Sequence, residues 1–176
     1  SSYPSNVRSF GNVIFFSAND GTHGSELWKS DGTTQGTRLI KDISPGSASG
    51  VFSFNAPFGL KLGPFFYFPA NDGIHGTELW KTNGTPEGTA LVADIRPGVG
   101  NSSPEIKAVF RNYLYFTATD SAHGQELWRT QGTAQSTALF KELVPATRGT
   151  SFGDFQVTDR LYFEAASGLW TSDGTN

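Results

Sequence analysis

The chain has 176 residues, of which 13 are basic and 16 acidic, giving a formal net charge of −3 and enough length for one domain with a real core. Its charges are interspersed and no basic run could neutralise a row of phosphates, so nucleic acid is not an expected partner; no apolar run approaches the roughly 20 residues that span a bilayer. Cysteine is absent, which excludes disulfides and thiolate metal sites, and methionine is absent too, so the chain is expected to be a processed product or a piece of something longer.

In chain order, a variable lead-in is followed by the aromatic run VIFF at Val13, then NDGTHGSELW over Asn19–Trp28, then WKSDGTTQGTRLIKDI from Trp28. The order returns as a lead-in over Val51–Leu60, PFFYF at Pro64, NDGIHGTELW over Asn71–Trp80 and WKTNGTPEGTALVADI. It returns again as Pro104–Phe110, YLYF at Tyr113, TDSAHGQELW over Thr119–Trp128 and WRTQGTAQSTALFKEL. A fourth copy carries LYF at Leu161 and GLWTSDGT from Gly168, where only seven steps separate Phe163 from Trp170 against twelve in the other copies. The tryptophans lie 52, 48 and 42 residues apart, a period that marks a repeat architecture. The units are placed at 1–48, 49–98, 99–146 and a partial 147–176.

Each unit predicts four strands: lead-in, aromatic run, E-L-W strand and G-T-x-L strand. Between the third and fourth sits a tight hairpin whose glycine supplies a positive φ. Apolar residues at consecutive positions, such as Ile14, Phe15 and Phe16, point to opposite faces of a strand and need cover on both. A small sheet stacked between copies of itself provides that cover. The expectation is therefore an all-β, β-propeller-like array of four-stranded antiparallel blades, about 3.75 of them here.

The motif resembles that of the ELWxxDGT-repeat proteins, a bacterial group of mainly secreted or cell-surface character. It lies at Glu26-Leu27-Trp28 with Asp31-Gly32-Thr33, at Glu78-Leu79-Trp80 with Asn83-Gly84-Thr85, and at Glu126-Leu127-Trp128 with Gln131-Gly132-Thr133. It closes as Leu169-Trp170 with Asp173-Gly174-Thr175. The resemblance implies a secreted or surface location and a repeat architecture, and brings no common catalytic activity.

Every histidine falls at one register: Asp20, His23, Glu26; Asp72, His75, Glu78; Asp120, His123, Glu126. These nine are the candidate ligand-binding residues. They read first as turn residues that satisfy loop backbone groups, with one Ca2+ per loop as the alternative and no other cofactor expected. Asp31, Asn83 and Asp173 are assigned to the hairpins, and Trp28, Trp80, Trp128 and Trp170 to the core between blades.

The function expected is an extracellular or cell-surface binding or scaffold module with carbohydrate, or another surface polymer, as ligand. The alternatives are a propeller glycoside hydrolase, for which the unrepeated Arg148, Asp154, Asp159 and Glu164 are too scattered to nominate, and a purely structural assembly subunit. The missing fourth strand of the last copy leads to the expectation that a second chain, as a homo-oligomer, or the rest of a longer parent completes the ring.

Overall fold

The structure is a computed structural model and describes residues 2–52, 58–144, 149–166 and 168–175. It is all-β, with four antiparallel sheets strung along the chain. The first is β1 (Ser5–Phe10), β2 (Val13–Asn19), β3 (Ser25–Ser30) and β4 (Arg38–Lys41). The second is β5 (Leu60–Leu62), β6 (Phe65–Asn71), β7 (Thr77–Thr82) and β8 (Ala90–Ala93). The third is β9 (Glu105–Phe110), β10 (Tyr113–Asp120), β11 (Gly124–Thr130) and β12 (Ala138–Lys141). The fourth has three strands, β13 (Phe152–Val157), β14 (Leu161–Ala165) and β15 (Gly168–Ser172). In every sheet the strands are ordered as in the chain, so each is a simple meander.

One lead-in differs from the sequence reading. The second sheet's first strand is Leu60–Leu62, not Val51–Leu60, and 53–57 lie outside the described residues. So do Arg148, part of the Val144–Ser151 linker and the unit boundary placed at 146/147.

Register is uniform across the copies. Phe16 faces Trp28, Phe68 faces Trp80, Phe116 faces Trp128 and Phe163 faces Trp170. Side chains alternate along a strand, so each sheet has two apolar faces. One, here termed outgoing, carries Phe15 and Leu27 in sheet 1, Tyr67 and Leu79 in sheet 2, and Tyr115 and Leu127 in sheet 3. It packs on the incoming face of the next sheet, made of Phe66 and Phe68, then Leu114 and Phe116, then Leu161 and Phe163. The same contact is therefore made three times. Phe15 meets Phe66 edge-on at 5.5 Å, and Leu27, Leu79 and Leu127 are all fully buried. Each such leucine or aromatic ring contributes about 1.5–3 kcal/mol by leaving water.

A polar stitch accompanies each apolar contact. The basic residue after the tryptophan reaches the hairpin glycine carbonyl of the next sheet: Lys29 Nζ to Gly84 at 2.5 Å, Lys81 Nζ to Gly132 at 2.6 Å, and an Arg129 Nη to Gly174 at 2.6 Å. Those hairpin glycines adopt φ between 86° and 98°, open to glycine without cost.

Candidate functional site

The nine candidate residues separate into two groups. In each loop the aspartate is the hub: Asp20 Oδ1 accepts from the Thr22 and His23 amides, and Oδ2 pairs with His23 Nδ1 at 2.7 Å. Asp72 with His75 and Asp120 with His123 repeat the pair at the same 2.7 Å. These bonds pull Asp20 down to about 2, the His23 amide contributing most, and the bond to aspartate raises each histidine above its ordinary value. With Nδ1 held by a carboxylate, Nε2 is the remaining ring nitrogen, and each imidazole is about one-third exposed. The loop lies against the linker that follows its own sheet: a side chain on Gly24 would strike the Ala48 backbone, and one on Gly76 the Gly100 backbone.

The glutamates of the same motif face inward and are fully buried. Each clasps the linker that follows its sheet. Glu78 is the most completely bonded: Oε1 accepts from the Arg96 and Ser102 amides at 3.4 and 3.1 Å, Oε2 from the Ile95 amide at 3.1 Å and the Ser102 hydroxyl at 2.6 Å. Glu126 accepts from the Leu143 and Val144 amides and, at 2.9 Å, from the Thr150 hydroxyl. Glu26 accepts from the Ser44 and Gly50 amides, both on Oε1. Gly50 stands where Ser102 and Thr150 stand, so among the described residues no hydroxyl reaches Glu26 Oε2, and the Ile43 amide beside the carboxylate makes only a long contact with it. Burial raises both Glu26 and Glu78, Glu26 to about 7 with Asp42 adding to the rise. The loop thus displays an Asp–His pair and spends its glutamate on the fold. Among the described residues no three histidine, aspartate or glutamate side chains are disposed to hold a metal ion.

The hairpin residues divide as well. Asp31 Oδ1 accepts from the Thr33 amide and hydroxyl, and Asn83 and Asp173 do the same for Thr85 and Thr175. A side chain on Gly36 would land on the Asp31 carboxylate, and one on Gly88 on the Asn83 amide. In the third copy Gln131 is one carbon too long for this role. Ser136 occupies the position of Gly36 and Gly88, and its hydroxyl accepts from the Gln131 and Thr133 amides instead, both at 3.1 Å. The acceptor and the small residue have changed places.

The tryptophans are not equivalent. Trp80 is nearly buried, Trp28 and Trp128 are half-buried, and Trp170 is 39% exposed. The indole N–H groups of the first three are buried and find no acceptor among the described residues, whereas that of Trp170 donates to the Ala165 carbonyl across the shortened hairpin. Beside that hairpin lies an open cleft of about 530 Å3 whose lining includes Glu164, Phe152 and Leu169. The one signal for it in the sequence is the shortened spacing between Phe163 and Trp170. No protein-family model matches this chain, and no curated protein matches it either.

Proposed function

We propose that the protein is an extracellular or cell-surface binding module, built as a propeller-like array, whose ligand class is carbohydrate. Its supporting observation is the division of the loop residues. The repeated glutamates, the acids a hydrolase would draw on, are held by two to four protein donors each, while an Asp–His pair whose imidazole is about one-third exposed recurs at the same corner of three sheets. Three copies of one polar surface suit multivalent attachment to a polymer of repeated units, where weak single contacts add through effective concentration. Each pair offers a ring nitrogen, which accepts when the imidazole is neutral and donates when it is protonated, and a carboxylate, groups that bond sugar hydroxyls. A secreted or surface location follows the resemblance of the motif, and the propeller reading follows the sheet-to-sheet contact, since one contact repeated in one sense turns the stack steadily.

A glycan array probed with the folded chain tests the ligand class. Binding is expected to depend on length of the glycan, and to fall more than additively when His23, His75 and His123 are replaced by alanine together. A blank array from folded protein would remove the carbohydrate reading and leave a structural role.

A further inference from the structure

Among the described residues, the two halves of the contact between successive sheets are left uncovered on sheet 1 and sheet 4. On the incoming side, Ile14 of sheet 1 is 38% exposed, whereas Phe66, Leu114 and Leu161 at the same position are 2% exposed or less. Gly32 is exposed, while its counterparts Gly84 and Gly132 are buried beneath the preceding sheet and accept its lysine. On the outgoing side, Leu169 of sheet 4 is 75% exposed, against full burial of Leu27, Leu79 and Leu127.

The stitching cation is kept there from a different position. Thr171 stands where Lys29, Lys81 and Arg129 stand, and Arg160, in the turn just before β14, lays its guanidinium on the Thr171 hydroxyl at 3.0 Å. Arg160 itself occupies the position of Phe65 and Tyr113, the rings over which Lys81 and Arg129 lie. The cation has moved from the tryptophan strand to the turn before β14, and the positive charge stays beside Thr171. One residue opposes the match: Glu164, on the central strand of sheet 4, is exposed where the buried Ser17, Pro69 and Thr117 stand, and a contact made with this face would have to take its charge out of water.

We propose that the outgoing face of sheet 4 docks on the incoming face of sheet 1 of a second copy of this chain, head to tail, with Leu169 covering Ile14, Arg160 capping the Gly32 carbonyl and Glu164 limiting the affinity. Repeated, such a heterologous contact closes a ring or runs on as a filament. The proposal rests on the sheet-to-sheet contacts alone and does not depend on the ligand.

Sedimentation velocity of the 176-residue chain from micromolar to millimolar concentration tests it. The wild type is expected to associate weakly, and E164T at least tenfold more tightly. I14E and L169E change exposed positions, so circular dichroism and melting serve as folding controls; each is expected to be monomeric alone. Mixed in equal amounts they form a dimer and nothing larger, because one retains a sound outgoing face and the other a sound incoming face. Monomers throughout, including E164T, would overturn the proposal, as would association that I14E and L169E leave untouched or a mixture that stays monomeric.

Discussion

Glu26 allows a quantitative test of the clasp. Its carboxyl is fully buried, the Ser44 and Gly50 amides both fall on Oε1, and Oε2 lacks the hydroxyl that Ser102 gives Glu78. Raising a carboxyl from 4.5 to about 7 is worth at most about 3 kcal/mol. The native state holds the proton more tightly than the unfolded chain. The stabilisation is therefore full below pH 4.5, declines as pH rises, and is gone once pH passes about 7. Urea denaturation at intervals between pH 4 and 8, on wild type and E26Q, measures it. The variant cannot ionise, so the difference between the two curves should grow in favour of E26Q by up to about 3 kcal/mol across that window. E78Q provides the contrast. Its new NH2 group would face the donors that Ile95 and Ser102 direct at the carboxylate, and it should lose about 2–4 kcal/mol at pH 7. Parallel pH slopes for wild type and E26Q, or a Glu26 carbon resonance titrating near 4.5, would refute the reasoning.

Four further outcomes are expected. G36S should destabilise by about 1–2 kcal/mol by crowding Asp31, and D31Q should relieve the loss, giving a double-mutant coupling of about 1 kcal/mol in thermal melts. K81A removes a charge-assisted bond to a buried carbonyl and should cost about 1.5–3 kcal/mol by denaturant titration, while a value near zero would deny the stitch its role. L79A should cost about 2–5 kcal/mol and L169A almost nothing, although both are the leucine of the same motif. Proton NMR should place His23 above 6.5, with D20N returning it toward that value; any stabilisation from the pair is full below 6.5 and fades as pH rises through the raised value.

Strand order and hairpin position were legible because they rest on local rules: consecutive apolar residues demand cover on both faces, and a glycine at a fixed offset marks the turn. The short lead-in of sheet 2 was not, since Leu60–Leu62 lacks any alternation that separates it from the linker before it. The Asp–His–Glu register was visible too, but not its division. In sequence, Glu26, Glu78 and Glu126 look as available as Asp20, Asp72 and Asp120. Only the fold shows that a linker 17 to 24 residues later closes over them. A long-range contact of that kind leaves no local trace except the hydroxyl at Ser102 and Thr150, and Gly50 breaks even that pattern.

The fourth sheet shows that loop and clasp form one device. Gly168 takes the glutamate's position in the very copy whose Asp-Gly-x-His-Gly segment is gone. If the glutamate served only its own strand, its loss would not need to accompany the loop's. Gly24 and Gly76 press each loop onto the linker that the glutamate of that copy also holds, so loop, linker and carboxylate are packed as a unit. With the loop removed, Ala165 and Gly168 close a tight hairpin, Ala166 takes a φ of 57°, and the indole of Trp170 finds the Ala165 carbonyl. The displayed Asp–His pair and the buried acid, which share no hydrogen bond, therefore pack on the same linker, and weakening the acid's clasp should loosen the loop. E78Q is expected to loosen the His75 loop in hydrogen exchange while leaving that of His23 unchanged, and equal protection of both loops would break the link between clasp and display.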